Sequence, residues 1–280
     1  IRRGTRYPRT RLPQFVTNAL AVFVEEELGA SIKRWTTVEG GDVNRAARVE
    51  LADGRVVFVK SHDDPPPGMF AAEADGLRWL AGGPLRVPGV IAVGETWLAL
   101  EWLELEQRPD AATLGRRLAA LHRLGAASFG YTRPNFLATL SQDNGAEVDW
   151  PTFYIERRVR PLCRRAGLSI DRQLDALRAH PDRFGPPEPP ARLHGDLWWG
   201  NVGSSGGAPV VFDPAVYGGH REIDLAMLGL FGPLPEPLVA AYGEVWPLSD
   251  GWRDRIGLYQ LYPLAAHACL FGGTYGVEVR

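Results

Sequence analysis

One short stretch holds three residues of the types, and in the order, that phosphoryl transfer from a nucleotide requires. Asp196 stands two places after His194, Asn201 follows five places later, and Asp213 closes the apolar run Val210-Val211-Phe212. In that chemistry one carboxylate accepts the proton of the attacking hydroxyl, while an amide oxygen and a second carboxylate hold magnesium against the phosphates. Asp196 is therefore the candidate base, and Asn201 and Asp213 are the candidate Mg2+ ligands. Asp and Asn are common in loops, so a pattern this short also arises by chance. Its weight comes from context: the apolar run reads as a buried strand that delivers Asp213 at its end, and Gly200-Asn201 reads as a tight loop.

Two neighbours of this set read as supports. An imidazole at His194, two residues before the base, can fix the loop by hydrogen bonds. Asp224, opening a helix from Leu225 to Phe231, can accept N–H groups from that helix and from the catalytic loop. His194 as the general base is the rival assignment. It is the weaker one, because a hydroxyl positioned beside magnesium needs only a modest base.

The elements that must position a nucleotide lie upstream. Pro13 to Leu28 carries helical apolar spacing and stops at Gly29. The period then shortens: Ile32 to Val38, Arg45 to Leu51 and Val56 to Lys60 read as a meander of strands, with Gly40-Gly41 at the first bend and Asp53-Gly54 as a two-residue turn at the second. Glycines at the first bend would let the backbone approach a phosphate, although a Gly-Gly bend is more often an ordinary hairpin. Lys60, ending an apolar strand, is placed to meet phosphates from a cleft, the plainer reading being a strand-end lysine in solvent. Met69 to Leu80 is an amphipathic helix with Phe70, Leu77 and Leu80 on its apolar side, and Glu73 is its acid best placed to hold Lys60. Strands Val87 to Val93 and Thr96 to Glu101 complete a sheet of about five. The connector Glu101-Trp102-Leu103 then offers backbone N–H and C=O groups to an adenine edge.

Beyond Glu106 the chain reads as helical apart from the catalytic stretch. Asp110 caps a helix with Leu114, Leu118, Leu121 and Leu124 on one face, and His122 beside that stripe reads as a packing residue. Further helices fit Pro151 to Arg165, Ser169 to His180, Pro237 to Val245, and Asp250 to Leu270 with a kink at Pro263.

Composition sets bounds. With 280 residues, 45% of them hydrophobic, the chain can build two lobes. A net charge of −2 gives no general attraction to nucleic acid or an anionic membrane, so neither is an expected partner. Two distant cysteines, Cys163 and Cys269, suit neither a disulfide scaffold nor a zinc site, which makes the cytoplasm the default location. No apolar run approaches the roughly 20 residues of a membrane span, and the basic start, Ile1 to Arg11, reads as a solvated tail.

At this point the residues resemble the fructosamine kinase family, whose members are similar in fold to protein kinases and to aminoglycoside and choline phosphotransferases. The matching stretches are Gly40-Gly41-Asp42-Val43-Asn44, Phe58-Val59-Lys60, Phe70-Ala71-Ala72-Glu73, Gln142-Asp143-Asn144, His194-Gly195-Asp196-Leu197-Trp198, Asp213-Pro214-Ala215-Val216-Tyr217, Asp224-Leu225 and Leu270-Phe271-Gly272-Gly273-Thr274-Tyr275. They run through nearly the whole chain in one order. The resemblance implies ATP-dependent phosphorylation of ketosamines at the sugar 3-hydroxyl, with ribulosamine, erythrulosamine or fructosamine adducts as acceptors and deglycation of proteins and amines as the role. By position it makes Lys60 and Glu73 the phosphate-positioning pair, Gly40 and Gly41 the phosphate cover, Asp196 the base, and Asn201 and Asp213 the Mg2+ ligands. It also places the Trp198 indole against the sugar adduct, the alternative being a core tryptophan under the loop. Three departures concern substrate choice and assembly. Trp199 stands where the family usually has a small residue, and Ala265-Ala266-His267 lacks the usual Asn before His, which leaves His267 as the substrate contact from the last helix. The glycine bend has no cysteine, so a monomer is expected rather than a thiol-linked dimer.

The expectation is thus a two-lobed, kinase-like α+β fold, with an ATP-binding lobe over residues 1–103 and a helical lobe over residues 104–280. Alternatives are a kinase of the same fold acting on an aminoglycoside, choline or a sugar, and a non-catalytic nucleotide-binding module. A protein kinase fits least, because Gly195 replaces the Arg expected between His194 and Asp196 and no Ala-Pro-Glu segment follows Asp213.

Overall fold

The computed structural model describes residues 18–38, 44–106 and 108–272. The Gly40-Gly41 bend, the basic start, the beginning of the first helix and the Gly273-Thr274-Tyr275 stretch lie outside the described residues. The chain divides into two compact units, one drawn from Ile1–Ala74 and Pro88–Leu103, the other from Asp75–Val87 and Glu104–Arg280.

The first unit is an antiparallel sheet with helices. Helix α1 (Asn18–Leu28) precedes strands β1 (Ile32–Val38), β2 (Arg45–Leu51) and β3 (Val56–Ser61). Helix α2 (Met69–Leu80) follows, its residues from Asp75 on counting with the second unit, then β4 (Val90–Val93) and β5 (Trp97–Glu101). The five strands lie in the order β1-β2-β3-β5-β4. Alternation along β3 explains its two faces. Val57 and Val59 join Val24, Leu28, Val49 and Trp97 in a core on the α1 side, so Lys60, one residue on, faces the other way. Between β2 and β3 Leu51 and Arg55 close a turn of three residues, Ala52 to Gly54, rather than the expected two. Gly54 donates to the Leu51 carbonyl at 3.1 Å and the Leu51 N–H to that of Arg55 at 2.9 Å, with Gly54 at φ +91° supplying the left-handed step.

In the second unit α3 (Ala111–Arg123) is capped by Asp110, whose side chain accepts the Thr113 N–H at 2.7 Å. Leu114, Leu118 and Leu121 are fully buried, whereas Leu124, just past the helix, is half exposed. The expectation of helix throughout is corrected here. A short hairpin, β6 (Asn135–Leu137) with β7 (Leu140–Gln142), intervenes, its strands too brief for an alternating signal. The catalytic stretch lies between β8 (Ala191–Leu193) and the β9 (Val202–Ser205) and β10 (Ala208–Val211) hairpin, and β11 (Tyr217–Gly219) pairs back onto β8.

The helical run expected over Pro151 to Arg165 is composite: α4 (Trp150–Thr152), a π-helix over Phe153–Val159, then α5 (Arg160–Arg165). Pro161 lacks an N–H and its ring presses on the carbonyl four residues back, a conflict that the wider π turn relieves. At the end of that turn Arg158, 1% exposed, donates to the Asp143 carbonyl at 2.8 Å and to the Asn144 side chain, and lies over the Phe153 and Tyr217 rings at 4.6 and 4.1 Å. Helix α6 (Asp171–Arg178) is followed, after strands β8 to β11, by α7 (Glu222–Leu228), α8 (Glu236–Val245) and α9 (Trp252–Phe271), which continues through Pro263. No helix among the described residues is long and apolar enough to cross a membrane.

Candidate active site

In the first unit the register that faces Lys60 away from the α1 core brings it to α2. Its Nζ lies 2.9 and 3.0 Å from the two Glu73 carboxylate oxygens, with both side chains about nine-tenths buried. Bidentate pairing at this depth fixes the ammonium at one point, which is what a phosphate-binding lysine needs. Phe70, fully buried one turn before Glu73, anchors that part of the helix. At the connector, the Glu101 N–H donates to the Gly89 carbonyl at 2.8 Å and its carboxylate accepts the Gly89 N–H at 3.2 Å. The Glu101 amide is thus engaged within the sheet edge, whereas the Leu103 N–H and C=O have no partner among the described residues. Gly40 and Gly41 lie outside those residues.

The second unit assembles the catalytic stretch around one carboxylate. Asp224, 1% exposed, accepts the His194 N–H at 2.8 Å on one oxygen and the Gly195 N–H at 3.0 Å on the other. It sits inside α7, in its first turn, and does not open the helix as the sequence suggested, because the helix begins at Glu222. A third bond comes from α3, where His122 Nε2 lies 3.2 Å from the same carboxylate and Nδ1 lies 2.7 Å from the Tyr242 hydroxyl. The bonding partners assign the tautomer: Nε2–H donates to Asp224 and Nδ1 accepts from Tyr242. Burial opposes the charge on Asp224, yet the His122 bond, the imidazoles and the His194 N–H together hold its carboxyl below the ordinary value.

His194 is fully buried, and its ring spans the loop. Nδ1 accepts the Asp196 N–H at 3.3 Å while Nε2 donates to the Phe212 carbonyl at 3.1 Å, which ties Asp196 to the residue before Asp213. Burial lowers its pKa against the pull of Asp224, so the ring stays neutral with both nitrogens occupied. That geometry suits a brace and leaves no lone pair for a substrate proton. Gly195 permits the close passage: its φ is +82°, and a Cβ there would stand 2.0 Å from the Ala215 carbonyl oxygen.

Asn201 donates its amide N–H2 to the Asp196 backbone oxygen at 2.9 Å and to the Asp196 carboxylate at 3.1 Å. This orients the candidate base and leaves the amide oxygen for a cation. Asp213 adopts φ +57°, in the left-handed region that is uncommon outside glycine and that Asp enters more readily than most residues. An amide oxygen with a carboxylate is a hard-oxygen donor pair suited to Mg2+, which takes few protein ligands and completes its shell with phosphate and water.

Trp198 is 39% exposed and so is not a core tryptophan. Trp199, where the sequence suggested a reshaped acceptor pocket, packs against the core around Leu114, Leu118 and Leu197 and lies under Arg108 at 4.9 Å. His267 Nδ1 is held by the Pro263 carbonyl at 2.7 Å, and its ring touches Phe231 and Phe271. Sequence reasoning missed Tyr242 and Phe231 altogether and took His122 for plain packing. The one signal available was a histidine at a fully buried position in an otherwise aliphatic stripe.

Residues 16–280 match the family model described as fructosamine kinase. A probable ketoamine kinase of Enterococcus faecium is 40% identical over 255 residues, 86% of this chain and 91% of that protein. A Thermobifida fusca protein whose crystal structure carries the provisional name fructosamine-3-kinase is 43% identical with a TM-score of 0.83, covering 94% of this chain and 96% of the other. An apoenzyme macrolide 2'-phosphotransferase of Brachybacterium faecium, 18% identical with a TM-score of 0.62 over 94% and 96% of the two chains, shares the fold alone. Since one family model spans almost the entire sequence and such relatives match it nearly end to end, the chain belongs to the fructosamine kinase family and is a phosphotransferase of kinase-like α+β fold acting on a hydroxyl group.

Proposed function

We propose that the protein transfers the γ-phosphoryl group of ATP to the sugar 3-hydroxyl of a ketosamine, on free amines and on glycated proteins, and thereby serves deglycation. The single observation that carries this is the braced catalytic stretch, in which Asp196 is oriented by Asn201 and by a neutral His194. Asp196 accepts the proton of the acceptor hydroxyl. Asn201 and Asp213 hold Mg2+, which supplies charge neutralisation at the phosphates when bound. Lys60, fixed by Glu73, is the phosphate partner in the first unit, with Gly40 and Gly41 as the phosphate cover and the Glu101–Leu103 connector on the adenine edge. Trp198 and His267 belong to the acceptor side. Cys163 is buried, which withholds its thiol from an interchain disulfide, and the reading is of a cytoplasmic monomer.

The test is ATP consumption with synthetic ribulosamine, erythrulosamine and fructosamine beside an aminoglycoside, choline and free sugars. Turnover is expected on a ketosamine, with Asp196→Asn lowering kcat by a factor on the order of 100 or more and leaving the fold intact. A parent-like rate for Asp196→Asn overturns the assignment of the base. Turnover confined to the other acceptors overturns the ketosamine.

A further inference from the structure

The exposed aromatic rings of the second unit are not scattered. Trp198, Phe231 and Phe271 are 39%, 59% and 55% exposed, and His267 links them into one row. Trp198 meets Phe231 at 6.0 Å and 77°, Phe231 meets His267 at 5.7 Å and 75°, and His267 meets Phe271 at 5.6 Å. The row draws on three places in the chain: the catalytic loop, the segment after α7, and the last turns of α9. Its first ring is two residues from the candidate base, and the Trp198 N–H donates to the Asp196 carbonyl at 3.1 Å.

The row is preorganised. A Cβ at Gly200 would stand 2.2 Å from Cη2 of Trp198, so only glycine lets the indole lie across the loop in this way. His267 is anchored to the Pro263 carbonyl. Aromatic carbon held in place and left in water, continuous with a reaction centre, marks a surface that a ligand covers. Edge-to-face contacts leave ring faces for that ligand, and such faces attract both apolar groups and cations.

A ketosamine acceptor has two ends: the keto sugar, which receives the phosphoryl group, and the amine nitrogen with its substituent. That nitrogen is a secondary alkylamine, protonated near neutral pH, and it is followed by whatever the parent amine carried. None of the four side chains in the row is a carboxylate or a guanidinium. A cation with an apolar or aromatic substituent therefore fits the row better than an acidic amine does. We propose that Phe231, with His267 and Phe271 beyond it, forms a subsite for the amine end of the acceptor. The enzyme then discriminates ketosamines by their amine as well as by their sugar, favouring aromatic or bulky apolar amines. This inference rests on the ketosamine reading above.

Two ribulosamines with the same sugar, one made from phenethylamine and one from methylamine, test it in steady-state kinetics. The parent enzyme is expected to favour the phenethylamine adduct in kcat/KM. Phe231→Ala should lower the ratio of the two kcat/KM values roughly fivefold, chiefly through KM of the phenethylamine adduct. Phe271→Ala should shift the ratio in the same direction by a smaller factor, which keeps the test decisive if the first variant does not fold. A parent enzyme that turns over both adducts without preference, or a ratio unmoved in the folded variants, overturns the subsite alone. A parent enzyme that phosphorylates neither adduct, nor the matching pairs made on erythrulose and fructose, overturns the ketosamine reading, and the subsite falls with it.

Discussion

Replacing Asp224 with Asn preserves the shape of the side chain and removes one acceptor oxygen from the centre of the catalytic loop. The carboxylate takes the His194 N–H and the His122 Nε2–H on one oxygen and the Gly195 N–H on the other. An amide satisfies the first pair only by turning its N–H2 toward Gly195, so one buried donor faces another. An unpaired buried donor costs about 1–3 kcal/mol, and the two surviving bonds lose their charge assistance at roughly 1 kcal/mol each. Relief from burying a charge offsets part of this, and the net loss is about 2–4 kcal/mol. For a unit of this size that lowers Tm by about 5–12 °C. Circular dichroism melts, read beside kcat on a ketosamine, measure both consequences, and kcat should fall at least tenfold because the loop that carries Asp196 loses its anchor. Combining Asp224→Asn with His122→Phe should cost less than the sum of the single changes, since both act on one bond. A melting point within 2 °C of the parent with unchanged kcat would refute the view that this carboxylate holds the loop.

Two further expectations concern neighbouring features. Gly195→Ala places a Cβ 2.0 Å from the Ala215 carbonyl in a left-handed conformation, so the variant should be insoluble or inactive; soluble, active protein with the parental melting point would show that the loop has room to give. His220 is buried between Trp150 and Tyr259, and burial pushes its pKa down to about 4 against the opposing pull of Glu188. The sign follows from linkage: the unfolded chain binds this proton near pH 6.5 and the folded one near pH 4. Stability from the neutral ring is therefore complete above pH 6.5 and is lost as pH falls toward 4, by roughly 3 kcal/mol. His220→Phe should flatten the decline of Tm across that window, and parallel curves for parent and variant would exclude His220 as its source.

What the sequence disclosed was local. His194, Asp196 and Asn201 fall within eight residues, and Lys60 follows an apolar run in β3 whose alternation turns it away from the α1 core. The Lys60–Glu73 pair was suggested by the strand period and the helical period of α2, and the family resemblance strengthened it. By contrast, the bonds from His122 to Tyr242 and Asp224 span 120 and 102 positions, and no periodicity encodes such a meeting. Asp224 was placed one turn too early because α7 begins on Glu222 without a capping side chain to announce it. Strands of three residues, as in β6 and β7, carry no usable alternation, and Phe231 and Phe271 look in sequence like ordinary apolar residues at helix ends.

The π-helix over Phe153–Val159 has a consequence for how this chain tolerates change in length. Such a wide turn is the trace of a single residue inserted into an α-helix. Deleting one residue inside the wide turn would restore regular winding and leave α5 close to its present phase, because the turn already absorbs the extra residue, whereas the same deletion in a regular helix swings everything beyond it by about 100° about the axis. The change would be local: Arg158, inside the turn, bonded to Asn144 and lying over the Tyr217 ring, is the side chain that rewinding would re-aim. A one-residue gap here is thus a lighter lesion than the same gap in a regular helix such as α3, with its cost concentrated on Arg158.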